Sequence, residues 1–311
     1  MNLIETENLG KTYGNVKAVE GLSLKVSEGE IYAFLGLNGA GKTTTIRMLL
    51  GMIRPTEGRA AVLGTHVQPG ACHLWQDVGY LVETPHAYPE LTVRENLEVA
   101  RQLHPGTPAK AVDSIIERLG LSSYADRRAD VLSLGNAQRL GLAKALIHKP
   151  RLLFLDEPAN GLDPAGIVEI RELLFELTRN EGVTVFMSSH ILAEVSRLAG
   201  RIGIIHNGHL IQEMNMEEME KKRQRRLLVQ TRNNQPAMQV LQSVGKKTCV
   251  PLNGTLVLND DESINMPDRV NQILVQAGFP PTRLLVEEEE LEDYFLRLVG
   301  VGKGMENGKS H

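Results

Sequence analysis

Apolar residues follow two rhythms along this chain. Over residues 1–30 they come in short alternating pieces (Leu3-Ile4, Val16 to Val19, Leu22 to Val26) broken by Gly10, Gly14, Gly21 and Gly29. That pattern predicts short antiparallel strands joined by turns, with Tyr13 in one of the turns. Further on, unbroken apolar runs take over: Ile31 to Leu35, LLFLDEP at 152–158 and VTVFMSSH at 183–190. Such runs suit strands buried on both faces of a parallel sheet. Each is followed by a segment of helical period, Thr44 to Leu50, Ile167 to Thr178 and Ile191 to Ala199. Strands alternating with crossover helices predict an α/β fold, a parallel sheet covered on both faces. Residues 90–148 read as mostly helical: Thr92 can cap a helix with Glu95, Leu97, Ala100 and Leu103 follow at helical spacing, and a second helix runs from Ala109 to Leu119 before Gly120.

The rhythm changes after about residue 215. The order predicted there is strand 227–231, helix 236–244, strands near 247–251 and 255–259, helix 266–277, strand 283–287 and helix 289–299. Read literally this is βαββαβ with an added helix, a small α+β unit of ferredoxin-like order. KKRQRR at 221–226 reads as a solvated helix face, with an anionic-lipid contact as the alternative, and EEEE at 287–290 as solvated acids suited to the first turn of the next helix.

Length and composition narrow the function classes. At 311 residues there is chain enough for about two domains, and 42% hydrophobic with 23% charged residues describes an ordinary soluble protein. A formal net charge of −4 gives no reason to expect nucleic acid as a partner. MNLIETENLG is not a signal peptide and no stretch is apolar for long enough to span a bilayer, so a membrane role is expected to come through another chain. Cys72 and Cys249 are far apart without metal-site spacing and suit a reduced cytosolic setting.

Chemistry concentrates in a few segments. Gly36, Gly41, Lys42 and Thr43 match G-x-x-x-x-G-K-[ST] between a predicted strand and a predicted helix. Glycines let the backbone N–H groups of Asn38 to Thr43 turn around a phosphate, the helix points its positive end there, and Lys42 adds a point charge. Asp156 and Glu157 end a buried strand. One carboxylate can join the Thr43 hydroxyl on Mg²⁺ while its neighbour faces a water beside the γ-phosphate, which makes Asp156 a metal ligand and Glu157 the general base. His190 ends the next strand on the same rim and could donate a hydrogen bond to that phosphate, although position alone leaves a structural role equally open. In LSLGNAQRL (132–140), Ser133 reads as the N-cap of a helix from about Asn136 to Ile147. Taken alone this is an ordinary capped helix. Beside a phosphate loop that already serves one nucleotide, a second positive helix end calls for a phosphate bound by a partner molecule.

These segments, in this order, resemble the nucleotide-binding subunit of an ATP-binding cassette (ABC) transporter over residues 1 to about 215. The resemblance implies a P-loop NTPase with an antiparallel β subdomain and a helical subdomain at about 90–148, followed by a C-terminal accessory domain at 216–311. It implies that Tyr13 stacks on adenine, that Gly36, Leu37, Asn38, Gly39, Ala40, Gly41, Lys42, Thr43 and Thr44 hold the phosphates of ATP, and that Asp156 and Glu157 serve Mg²⁺ and water. Asn160, Gly161, Leu162 and Asp163 would form the intersubunit loop and His190 the switch histidine. Ser133, Gly135 and Asn136 would close over ATP held by the opposite subunit of a head-to-tail dimer, a homodimer with a heterodimer left open.

Two positions depart from the family pattern. Leu134 and Asn136 stand at the third and fifth places of a signature that is usually Leu-Ser-Gly-Gly-Gln, and Glu83 replaces the usual coupling glutamine while remaining able to ligate Mg²⁺. VGYLVETPHAYPELTVRENL and ELEDYFLRL most resemble the exporter-type branch with a separate permease, including subunits for antibiotic and bacteriocin self-protection. The implied location is the cytoplasmic face of the membrane, through that permease. The alternatives are a non-transport ABC ATPase acting on nucleic acid or ribosomes, and a P-loop kinase for a small molecule.

Overall fold

The computed structural model describes residues 1–68, 75–83, 86–246, 248–249 and 254–300; Cys72, and Thr84 and Pro85 of the exporter-like segment, lie outside them. The chain falls into two compact units, Met1–Glu217 and Glu218–His311.

In the first unit β1 (Asn2–Tyr13) pairs antiparallel with β2 (Val16–Leu22) and with β3 (Lys25–Ser27). One long strand thus stands where the glycines predicted several short pieces. Gly10 lies inside it at a shift of register and Asn8 takes φ 46°, so the breaks in the pattern are bulges rather than strand ends. β4 (Ile31–Leu35), buried at every position, leads through a glycine-rich loop into α1 (Lys42–Leu49). β5 (Glu57–Val62) then pairs with β1, and β6 (Thr65–His66) with β5.

β7 (Val78–Leu81) is followed by the helical segment, α2 (Val93–Gln102), α3 (Ala111–Arg118) and α4 (Leu134–Leu146). Thr92 and Glu95 form the expected capping box. The unit ends with β8 (Leu152–Asp156), α5 (Pro164–Glu181), β9 (Thr184–Ser189), α6 (Leu192–Val195), β10 (Arg201–His206) and β11 (His209–Asn215). The helix expected over Ile191 to Ala199 is a single turn. Ile191 is still extended (φ −110°, ψ 106°), and after α6 the N–H groups of Leu198 and Ala199 both bond to Val195 O as the chain turns back into the sheet.

The central sheet runs β11-β10-β4-β9-β8-β7, with β11 antiparallel to β10 and the other pairs parallel. Tyr32, Phe34, Phe154 and Phe186 form its aromatic layer, packed with Ile46, Met48 and Leu49 of α1 and with Ile4 and Leu9 of β1. Phe186 stacks on Tyr32 with ring centroids 5.4 Å apart. Burying each such ring stabilises the unit by ~1.5–3 kcal/mol.

Across the boundary runs α7 (Met216–Lys222), followed by β12 (Arg225–Thr231), α8 (Asn234–Ser243), β13 (Thr248–Cys249), β14 (Leu256–Leu258), α9 (Asp261–Asn265), α10 (Pro267–Gln276), β15 (Pro281–Glu288) and α11 (Leu291–Leu298). The strands form an antiparallel sheet in the order β13-β14-β12-β15, over a core that includes Leu227, Val229, Leu241 and Leu274. Only the lysines of the basic run lie on a helix, Lys221 and Lys222 being exposed in the last turn of α7. Its arginines sit on or beside β12, where the register sets Arg225 against Glu288 and Arg226 against Glu287; Arg226 pairs with Glu287, and Arg223 and Arg225 reach Glu288 at 3.7 and 3.4 Å. The arginines at the start of β12 therefore face the first two acids of the acidic run across two strands. Among the described residues, no helix is long and apolar enough to cross a membrane.

Candidate functional site

Three neighbouring parallel strands end on one rim. Leu35 is registered with Ser189 and Ser188 with Asp156, so the chain leaves β4, β9 and β8 at the same level. Gly36, Asp156, Glu157 and His190 are thereby gathered where open parallel sheets place their ligands. A bond from Gly36 N–H to Ser189 O, 3.1 Å, ties the loop after β4 to the strand that delivers His190.

The loop from Gly36 to Thr44 can exist only with its glycines. A Cβ at Gly36 would stand 2.6 Å from Ile205 O, and one at Gly41 would stand 2.5 Å from Ala18 O, with Gly41 already at φ +109°. Leu37 O accepts from Ala40 N–H to close the turn, with Asn38 and Gly39 exposed at its tip. The first α1 bond is Thr45 N–H to Gly41 O, and Gly41 supplies no side-chain cap, so the N–H groups of Lys42, Thr43 and Thr44 open the helix as outward donors. Lys42 is 6% exposed and donates to Gly36 O at 2.7 Å and to Leu37 O at 3.3 Å. Its third contact is Glu157 Oε1 at 3.1 Å.

The two acids differ in setting. Asp156 is buried, with Oδ2 accepting from Thr43 Oγ1 (2.7 Å) and Oδ1 from Ser188 Oγ (2.5 Å). Glu157, one residue on, takes φ 51°, a conformation that costs a non-glycine residue ~1 kcal/mol and is held by its N–H donating to Ser188 Oγ at 2.9 Å. Its Oε2 lies 2.7 Å from His190 Nδ1. The turn leaves Asp156 pointing at the Thr43 hydroxyl and swings Glu157 between Lys42 and His190. Thr43 and Asp156 present hard oxygen donors of the kind Mg²⁺ takes alongside phosphates and water. Among the described residues no group of His, Cys, Asp and Glu could hold a metal by itself, so such a cation would need oxygens from its ligand.

Glu83 takes φ 62° and its carboxylate pairs with Arg47, one turn along α1 from Thr43. Tyr13 is 46% exposed, with Lys11 Nζ 5.0 Å over its ring. Ser133 caps α4, which starts at Leu134, two residues earlier than periodicity suggested, because the cap bond reaches back from Asn136 N–H (3.4 Å) and includes Gly135 in the first turn. Asn160 N–H bonds to Glu157 O at 3.0 Å, and Asp163 caps α5 through Gly166 N–H at 2.8 Å, so residues 160–163 form a tight turn between the rim of the sheet and α5.

Two residues of the site carry no signal in one sequence. Ser188 bridges Asp156 and Glu157, a role that depends on strand register. Gln138, 3% exposed, donates from Nε2 to Pro158 O at 3.0 Å and so joins α4 to the segment after Glu157. The assembled site can bind a polyphosphate through backbone donors and a lysine, receive a hard cation, and place a carboxylate where it can take a proton from water.

The family model described as ABC transporter matches residues 19–160. The chain is 37% identical to the bacitracin transport ATP-binding protein BcrA of Bacillus licheniformis over 96% of its own length and 98% of the relative's. It is 39% identical to the protein of the same name from Enterococcus faecalis over 96% and 97% of the two chains. Among solved structures, the dimeric structure of a bacterial ABC transporter cassette superposes with a TM-score of 0.64 at 25% identity, covering 68% of this chain and 98% of that one.

Proposed function

Because the chain belongs to the ABC transporter family, as an ATP-binding and ATP-hydrolysing subunit of exporter type, we propose that two copies close head to tail over two ATP molecules and so power a separate permease. The observation that carries this reading is the Glu157 carboxylate held between Lys42 and His190, beside a loop whose N–H donors and lysine suit a triphosphate.

In this reading Gly36 to Thr44 bind the phosphates of ATP, and Tyr13 supports the adenine. Thr43 and Asp156 hold Mg²⁺, which when bound screens the charge between the phosphates. Glu83 joins them only by leaving Arg47. A triphosphate competes with Glu157 for the Lys42 ammonium. The freed carboxylate orients a water in line with the γ-phosphate and accepts its proton, while His190 fixes the carboxylate and stays within reach of the phosphate. Ser133, Gly135 and Asn136 of each copy complete the partner's pocket with a helix end that lacks an acidic residue in its first turn, and Asn160 to Asp163 meet across the dimer. Work is done because closed and open states differ in affinity for ATP and for its products.

The bacitracin transport function in the names of the two relatives supports an antibiotic-type cargo, with the subunit on the cytoplasmic face of the membrane through its permease and the second unit as an accessory domain. Glu157→Gln is expected to bind ATP as the parent does and to hydrolyse it about 10²-fold or more slowly, the scale of a lost general base. Turnover equal to the parent's would remove Glu157 from that role.

A further inference from the structure

Leu134 is 57% exposed, yet its side chain has a defined seat. Its Cδ2 lies over Gly161, so that a Cβ added at Gly161 would overlap it and would stand 3.0 Å from Leu134 Cγ. The arrangement is reciprocal: a Cβ at Gly135 would meet Leu162 Cδ2 at 3.5 Å. Each segment lays its leucine on the glycine of the other. Behind this clasp the buried Gln138 amide holds Pro158 O at 3.0 Å, and Asn160 N–H holds Glu157 O at 3.0 Å. Packed apolar contacts resist sliding because separating them opens a gap that nothing fills. The Ser133-led end of α4 and the turn from Glu157 to Asp163 are therefore packed directly on each other. A glycine at position 134 would leave Gly161 uncovered and the turn free to shift without α4.

We propose that Leu134 and Gly161 are a matched pair that couples Glu157 of a subunit's own site to the helix end which that subunit offers to its partner's ATP, making Leu134 a positioning residue for the contact made by Ser133. This rests on the head-to-tail reading given above. When Glu157 passes from Lys42 to a water, the turn behind it shifts and carries Leu134, and with it Ser133. The coupling runs equally in reverse: a phosphate engaged by Ser133 favours one position of the turn and so one position of Glu157. The leucine that replaces the family's usual glycine thus gives this chain a direct mechanical link between the two ATP sites of the dimer.

The test is ATP-dependent dimerisation of the full chain carrying Glu157→Gln, followed by sedimentation velocity across ATP concentrations. Leu134→Ala is expected to raise the ATP concentration for half-maximal dimer by about tenfold, as is Gly161→Ala, and the two together by about tenfold rather than a hundredfold, because both break one contact. ATP binding to dilute monomer, read with a fluorescent analogue, stays at the parent's affinity in each variant, since neither side chain belongs to the Gly36 to Thr44 cradle. That binding also reports an intact fold. Gly161→Ala carries its own backbone cost at φ +76°, so Leu134→Ala is the deciding variant. A purely structural clasp would lower the melting temperature and leave the dimerisation curve in place. Dimerisation of Leu134→Ala at the parent's ATP concentration, or additive effects of the two substitutions, would overturn the proposal. Were the Glu157→Gln chain itself to stay monomeric at saturating ATP, the head-to-tail reading would fail and the clasp with it.

Discussion

The Nδ1 atom of His190 lies 2.7 Å from Oε2 of Glu157. With the other carboxylate oxygen 3.1 Å from Lys42, Glu157 has little freedom to choose its own rotamer. Removing the imidazole releases one side of that bracket and leaves the phosphate cradle untouched. His190→Ala is expected to lower kcat by about 10²-fold while the affinity for ATP, measured by equilibrium binding, stays within about twofold of the parent. A loss of affinity with kcat preserved would place His190 on nucleotide binding alone.

Ser188 is fully buried and serves both acids, donating to Asp156 Oδ1 and accepting from Glu157 N–H. Ser188→Ala leaves both groups without that partner inside the protein, at a cost of ~1–3 kcal/mol for an unsatisfied buried polar group. The expected outcome is a lower melting temperature together with about a tenfold fall in kcat. A variant as stable and as active as the parent would show that strand register alone holds the two acids.

Acid should weaken the helical segment through one histidine. Burial, reinforced by the charge of neighbouring His104, holds His148 down to about 4 against an ordinary value of 6.5, and its ring stacks on His104 with centroids 3.7 Å apart. The unfolded chain takes up this proton near pH 6.5, and the folded chain waits until about pH 4. Stability is therefore lost as pH falls from about 6.5 towards 4, and above that window the histidine makes no pH-dependent contribution. His148→Gln should flatten the fall in melting temperature between about pH 6.5 and 4.5, leaving the part due to His104, which burial shifts the same way. Parallel curves for parent and variant would contradict this.

The central fold was legible because β4, β8 and β9 are buried at every position and read as continuous apolar runs. The loop before α1 was legible because glycine at 36 and 41 and lysine at 42 are demanded by backbone geometry and charge, which a single sequence displays. What escaped depends on register or on contacts between distant segments. Ser188 matters only because it is level with Asp156, and Gln138 only because α4 lies beside Pro158. The same holds for Arg47 with Glu83, and for the basic run against the acidic one, where both charges were visible and their alignment across β12 and β15 was not. β1 misled because a bulge and a strand end carry the same glycine, and α6 because buried residues at helical spacing also fit a single turn followed by a loop.

The most direct test of the head-to-tail site is a structure of the Glu157→Gln chain with Mg²⁺ and ATP. It should contain two copies, each γ-phosphate held by Lys42 of one copy and within hydrogen-bond reach of Ser133 of the partner subunit. A solitary molecule, or a dimer in which Ser133 lies far from every γ-phosphate, would contradict it.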